Sequence, residues 1–340
     1  MLDADALVLG LGPAGASAAA EAARRGCRVI ALDRKREAGL PVQCAELVPA
    51  MVDVEAGVLA GAVRQRIDAM ATFVEDDAPD LKPGFPGYML DRAAFDASVV
   101  EAARQAGART FFSSVVNRIS RDGTVTLADG RSLRAPVIIG ADGPRSRAGK
   151  AIGSVNTELV ETRQIAVPLK RAQTATDIFL SADIPGGYGW LFPKGDVANL
   201  GAGVGPAHKA RLKSIVAKLH AQLRERVGEE ILSRTGGAIP VGGMLRPWGR
   251  LGGTLVLLAG DAAGLANPVT GAGIAAAVHS GRLAGEAAAR KSPHSYEEEL
   301  HDLYGAALER ALRRRRELLD GVPGKAALRR GWIAYPEYWQ

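Results

Sequence analysis

The chain has 340 residues, 47% of them hydrophobic and 24% charged, which suits one large domain or two interleaved ones and excludes disorder, collagen-like repeats and a disulfide scaffold. Lys and Arg number 43 against 37 Asp and Glu, and the whole excess lies between Arg310 and Arg330, where eight basic residues meet two acidic ones; this excludes a globally basic, nucleic-acid-binding protein. Two cysteines (Cys27 and Cys44), no signal peptide and no apolar run of about 18 residues predict a cytoplasmic protein without a membrane span.

In chain order, Ala4 to Gly10 reads as a buried strand. Pro13 to Arg25 is Ala-rich and predicts a helix, with Gly26 as its C-cap. Arg28 to Asp33 predicts a second buried strand, so the chain opens with a strand, turn, helix and strand that imply a parallel sheet. Residues 38–50 predict a loop running into a helix, and Asp91 to Ala106 a helix closed by Gly107. Thr110 to Leu133 predicts antiparallel strands that turn at Asp122-Gly123 and Asp129-Gly130. Val137 to Gly140 is a short buried strand. Residues 159–204, broken by Gly and Pro, predict a second antiparallel sheet. A helix over Lys209 to Val227 follows, then a buried strand over Thr254 to Ala259. An Ala-rich helix from Gly271 to Ala289 and a charged helix over 296–319 complete the pattern.

Gly10-Leu-Gly12-Pro13-Ala14-Gly15 joins the first strand to its helix. Gly10 permits the tight turn, Gly12 lets backbone approach a diphosphate, and Gly15 lets helix pack on strand. The helix start offers amides to the phosphates. Asp33, at the end of the second strand, stands where a carboxylate holds a ribose diol, with Arg34 beside it. Gly140-Ala-Asp142-Gly143 and Gly260-Asp261-Ala-Ala each follow a buried strand. Each brings a carboxylate to the carboxyl end of a parallel sheet, where a ribityl chain needs acceptors; this selects FAD over NAD. Asp142 as a turn residue and Asp261 as a helix N-cap are the plain alternatives. Gly271, Ala272, Gly273 and Ile274 open the long helix, whose positive end suits an electron-rich ring. The fold class is therefore α/β: a Rossmann-type FAD-binding domain with a parallel sheet, interleaved with an antiparallel-sheet substrate domain. Residues 1–75, 91–150 and 254–290 are assigned to the first, 76–90 and 151–253 to the second. Residues 291–340 form a C-terminal helix and a basic, aromatic tail.

These pieces, with Pro41-Val-Gln-Cys44-Ala-Glu46, the Tyr88 to Phe95 stretch and Gly187-Tyr188-Gly-Trp190-Leu-Phe192-Pro-Lys194, resemble the geranylgeranyl reductase family, within the flavoproteins similar to para-hydroxybenzoate hydroxylase. The resemblance spans residue 5 to about 290. It implies FAD contacts at Gly10, Gly12, Pro13, Ala14, Gly15, Asp33, Arg34, Cys44, Arg92, Val116, Asp142, Gly260, Asp261, Gly271, Ala272, Gly273 and Ile274. It also implies that Cys44 lies near the flavin, as a pocket or proton-transfer residue or as a plain loop thiol. Ala45 stands where the family has Gly.

Tyr188, Trp190 and Phe192 alternate and so share one strand face, either a core face or the wall of an apolar pocket. Arg92 opens a helix, where the dipole disfavours a cation; it is expected to be exposed or to meet a flavin-side anion. No second glycine-rich dinucleotide unit follows, so the electron donor is expected to be transiently docked NAD(P)H or another protein. No metal-ligand spacing or Ser-His-Asp grouping is present. The expected activity is reduction of carbon–carbon double bonds in an isoprenoid or other apolar substrate. The alternatives are a flavin monooxygenase acting on an aromatic or peptide substrate, and a non-catalytic flavoprotein with an assembly role. Residues 310–340 combine cations with Trp332, Tyr335, Tyr338 and Trp339: a peripheral membrane contact, or a tail that packs on its own protein.

Overall fold

The computed structural model describes residues 4–49 and 61–340. Short apolar runs without alternation suit strands buried on both faces, and the chain opens on two of them, β1 (Ala6–Leu9) and β2 (Val29–Leu32), joined by helix α1 (Pro13–Arg24). Next come β3 (Leu47–Pro49), the long hairpin β4 (Val63–Val74) and β5 (Asp80–Leu90), and α2 (Arg92–Gln105). The Asp91 carboxylate caps α2 by accepting from Ala94 N. Five short strands follow: β6 (Arg109–Phe111), β7 (Val116–Ile119), β8 (Val125–Leu127), β9 (Ser132–Leu133) and β10 (Val137–Gly140). Beyond α3 (Arg147–Ala151) run β11 (Leu159–Pro168), β12 (Ala175–Leu180), β13 (Gly189–Lys194) and β14 (Val197–Val204). A 3₁₀ turn leads into α4 (Leu212–Gln222), then β15 (Ser233–Thr235), β16 (Ala238–Pro240), β17 (Trp248–Leu251) and β18 (Thr254–Leu258). The chain continues with α5 (Ile274–Arg290), α6 (Pro293–Leu300), a π-helical turn (His301–Gly305), α7 (Ala306–Leu319) and α8 (Lys325–Arg330).

Among the described residues, six strands form one sheet in the order β17-β18-β10-β1-β2-β6. All its pairings are parallel except the β17–β18 hairpin. A second, nine-stranded sheet runs β15-β11-β14-β13-β12-β4-β5-β3, with β16 on β11. Its one parallel pairing is β12 with β4. The predicted turns at Asp122-Gly123 and Asp129-Gly130 join a small sheet of β7, β8 and β9.

Three expectations are corrected. Residues 63–74, assigned to the cofactor domain, run in the second sheet, because their partners are β5 and β12. Conversely, β17 joins the first sheet. The loop after residue 38 ends in β3, not a helix, at least through Pro49; the rest of that expectation, at residue 50, lies outside the described residues.

The abundant Ala and Gly serve helix packing. On α5, a Cβ at Gly281 would stand 2.2 Å from the Ala14 carbonyl oxygen and one at Gly285 2.5 Å from that of Ala18. The two helices touch backbone to backbone there, which holds α5 against α1 above the parallel sheet. The larger core surrounds that sheet. A second lies between the nine-stranded sheet and α4, and a third on that sheet's opposite face.

Candidate functional site

The turn after β1 is shaped as its glycines require. Gly10 has φ +96°, and a Cβ there would come within 2.3 Å of the Ala141 carbonyl oxygen; a Cβ at Gly15 would overlap the Gly10 carbonyl at 1.8 Å. Nothing lies within 4 Å of a Cβ at Gly12, so the space before the helix start is open. Pro13 occupies the first turn and no side chain caps it, which leaves the leading amides of α1 facing that space. Asp33 is buried at the edge of this opening. Its carboxylate accepts from Leu11 N and Lys35 N, both at 2.7 Å, and this fixes the turn and the strand end together. Arg34 is exposed.

The two Gly-Asp motifs divide their work. Asp142 accepts from Ser146 Oγ at 2.5 Å, Arg147 N at 2.6 Å and Ala148 N at 3.3 Å. It holds the loop into α3, the turn role that the sequence left open; burial nevertheless pushes its carboxyl up. Asp261 differs. Among the described residues no hydrogen bond reaches its carboxylate, and burial pushes its pKa up to about 6 despite the nearby Arg92. It does not cap a helix. Its Oδ1 lies 3.3 Å from where a Cβ of Gly273 would stand, at the start of α5. A half-buried carboxylate with no donor among the described residues, beside a helix N-terminus, fits a ribityl hydroxyl. Gly271, at φ +69°, and the uncapped α5 start complete that side. Gly260 N donates to Ser280 Oγ at 2.9 Å, which ties the motif to α5. Val116 sits half-buried in β7, paired with Leu127 on the small sheet.

Facing these elements is a buried polar cluster whose partners the sequence reading missed. Glu46 is only 4% exposed and has φ +70°, a left-handed conformation that a non-glycine residue keeps only when its surroundings over-determine it. They do: Glu46 Oε2 accepts from Lys194 Nζ at 2.6 Å and Asn199 Nδ2 at 2.8 Å, and Oε1 from Arg92 N at 3.1 Å. The Glu46 amide donates to Cys44 Sγ at 3.2 Å, so the turn also sets the thiol. Gln164 Nε2 donates to the Cys44 carbonyl at 3.2 Å, and Gln164 Oε1 accepts from the Trp190 indole at 3.0 Å.

Arg92 is half-buried rather than exposed, and it has an anion within its own helix. Its guanidinium pairs with Asp96, one helical turn on, at 3.0 Å. Burial works against its charge, but Cys44 and Asp96 outweigh that and raise its pKa. Burial pushes the Asp96 carboxyl up even so. The i, i+4 spacing of Arg92 and Asp96 was the available sequence signal; the roles of Glu46, Lys194 and Asn199 depend on β3, β13 and β14 coming together.

Tyr188, Trp190 and Phe192 do share a face. The first two rings meet edge-on at 5.8 Å and the last two stack at 6.1 Å. Tyr188 donates to the Thr270 carbonyl at 2.6 Å, directly before Gly271, so the aromatic row reaches the glycine-rich loop. Burial raises the Tyr188 pKa and keeps the phenol neutral. The C-terminal tail covers this face: Trp332 lies 4.9 Å from the Tyr188 ring and packs with Leu328 against the third core.

Much of the basic tail is used internally. Lys325 and Arg329 pair with Asp77 in the β4–β5 turn at 2.6 and 2.8 Å. Arg314 donates to the Glu337 and Tyr338 carbonyls and pairs with Glu317. No helix among the described residues is long and apolar enough to cross a membrane.

The parallel sheet with its glycine turn, the unpartnered Asp261 and the uncapped helix starts define an FAD-binding oxidoreductase. The FAD binding domain family matches residues 3–230. Digeranylgeranylglycerophospholipid reductase 2 of Methanosphaera stadtmanae is 33% identical over 316 residues, covering 85% of this chain and 79% of the relative. Its namesake in Methanopyrus kandleri is 35% identical over 315 residues, with 85% and 77% covered. A solved geranylgeranyl bacteriochlorophyll reductase-like protein of Thermoplasma acidophilum superposes with a TM-score of 0.82 at 23% identity, over 96% of this chain and 89% of that one. A myxobacterial FAD-dependent halogenase gives 0.64 at 22%, over 92% and 80%. The chain belongs to the geranylgeranyl reductase family of FAD-binding proteins.

Proposed function

We propose that the protein reduces carbon–carbon double bonds of an isoprenoid chain carried on a lipid, with electrons from transiently docked NAD(P)H or a protein donor. The observation that carries this reading is the asymmetry of the site. One side is the Tyr188 ring, which reaches the loop before α5 through Thr270, with Trp190 and Phe192 packed behind it in the third core; the other is the polar cluster around Cys44, Glu46 and Arg92. An apolar chain suits the first side, and proton delivery suits the second.

Bound FAD supplies the two-electron chemistry. The α1 start and Gly12 would hold its diphosphate, Asp33 its ribose, Asp261 its ribityl chain and Gly271 to Ile274 its ring system. Arg34, Val116 and Asp142 border the same site, Asp142 by fixing the loop before α3. Tyr188 fixes the glycine-rich loop through Thr270. Cys44 Sγ, which accepts from the Glu46 amide, is assigned in this reading to give a proton to the substrate carbon. The relatives' names support the substrate class.

The tail adds a finer reading. Arg310, Arg313 and Arg316 line one face of α7, and Leu319, Val322 and Trp339 are exposed near it. We assign this surface to contact with an anionic membrane from the cytoplasmic side, where a lipid substrate resides. Sedimentation with anionic vesicles at low and high salt tests it; failure to bind at low salt removes it.

The activity is tested by anaerobic reduction of the holoprotein with dithionite and incubation with digeranylgeranylglycerophospholipid in mixed micelles. Mass spectrometry should show stepwise gain of hydrogen pairs. No hydrogenation, together with oxygen insertion in air, would return the protein to the monooxygenases.

A further inference from the structure

Helix α2 opens on a cation that its dipole disfavours, Arg92, and carries one turn on a carboxylate, Asp96, that is only 3% exposed. The two form a side-on fork. Arg92 Nε donates to Asp96 Oδ1 at 3.1 Å, and Nη2 donates to Oδ1 and Oδ2 at 3.0 and 3.2 Å. Among the described residues Arg92 is the one donor to that carboxylate, and the Nη1 edge of the guanidinium bonds to no oxygen. The Arg92 backbone is held as well, since its amide donates to Glu46 Oε1 at 3.1 Å, so only the side chain is left to aim. The pair stands between the two carboxylates assigned to the cofactor. The first turn of α2 touches the loop that follows Asp33: a Cβ at Gly39 would lie 2.6 Å from Ala93 Cα. On that side Asp96 feels the charges of Asp33 and Lys35. On the other, the Arg92 charge meets Cys44 and acts on Asp261.

We propose that Asp96 is a positioning residue for FAD: it holds the Arg92 guanidinium so that its unspent edge is offered to the cofactor between Asp33 and Asp261. An unpaired arginine at a helix start turns to water, because the dipole repels it and its rotamers are many. A fork to a buried carboxylate removes that freedom and leaves one edge of the same plane for a second acceptor. Asp96 needs no contact with FAD of its own, since a carboxylate against the diphosphate would repel it; its effect passes through Arg92. The inference rests on the FAD site and not on the isoprenoid reading.

The test is a double-mutant cycle on flavin retention by the holoprotein, read as recovery of free-flavin fluorescence on dilution. Asp96→Asn should weaken FAD about tenfold, the loss of one well-aimed bond from a charged donor. In the Arg92→Met background the same change should cost less than about twofold, because the group it acts through is gone. Asp96→Glu, which still reaches Arg92 across one helical turn, should restore most of the affinity. If Asp96→Asn does not fold, Asp96→Ser is read in its place; if Arg92→Met holds no flavin, Arg92→Lys, which cannot make the fork, serves as the background. An Asp96 that only supports the fold would weaken FAD equally in both backgrounds and would not be rescued by glutamate. Either result overturns the proposal, and so does unchanged affinity in Asp96→Asn. A colourless wild type refutes the FAD site itself, whereas a yellow wild type with any of those results refutes only the role of Asp96; hydrogenation of an isoprenoid bears on neither.

Discussion

Asp261→Asn separates the cost of a half-buried carboxylate from its use. In the protein without FAD, burial raises the Asp261 pKa from 3.8 to about 6. A carboxyl whose folded pKa is raised opposes folding once the native form must carry the charge. The penalty is absent below the unfolded value of 3.8, grows as pH rises and is complete above about 6. At 1.36 kcal/mol per unit, the shift of about two units amounts to roughly 3 kcal/mol. Partial exposure of the residue and the burial of the replacing amide reduce the expected gain to about 1–2 kcal/mol. Asp261→Asn apoprotein should therefore match wild type in urea denaturation near pH 4 and exceed it by that amount at pH 8. Flavin binding should move the other way. A charged acceptor for a ribityl hydroxyl is lost, which weakens FAD by about 1–2 kcal/mol, roughly five- to thirtyfold in Kd. Two results would refute the reasoning: a stability gap that does not change with pH, or a variant that binds FAD as tightly as wild type does.

Four further outcomes are expected. Purified protein should be yellow and release FAD on denaturation, as its absorbance in the supernatant will show; a colourless preparation that FAD cannot reconstitute contradicts the site. Glu46→Gln should cost about 3 kcal/mol in chemical denaturation, because Lys194 loses the charge it pairs with in a largely buried cluster. Cys44→Ala should lower turnover or change the product pattern while the melting temperature and flavin spectrum stay nearly constant; normal turnover would return Cys44 to a loop thiol. Gly281→Val should destabilise by roughly 3 kcal/mol or more, since its Cβ would overlap the Ala14 carbonyl and force α5 off α1; a melting curve like that of wild type would show that the helices can part without loss.

The glycine turn, the parallel strands and the carboxylates at their ends were legible in the sequence because each is a local device. Gly10 must have positive φ, Gly15 must clear a carbonyl, and Asp33 must end its strand, whatever the rest of the chain does. The aromatic alternation at Tyr188, Trp190 and Phe192 was legible for the same reason: a strand's period of two puts them on one face. What the chain could not reveal locally was settled by partners distant in sequence. Asp142 and Asp261 stand in similar motifs, yet the first is taken up by its own loop and the second finds no donor. β4 left its assigned domain because β12, a hundred residues on, offered it a parallel edge. Glu46 holds a left-handed backbone only because Lys194 and Asn199 reach it from two later strands. Part of the basic tail, so prominent in composition, is taken up inside the chain: Lys325 and Arg329 pair with Asp77, and Arg314 pairs with Glu317 and donates to backbone carbonyls. Charge and periodicity are properties of a segment, whereas pairing and desolvation are properties of what the fold brings against it, and at this site the second decided which residues are left free to act.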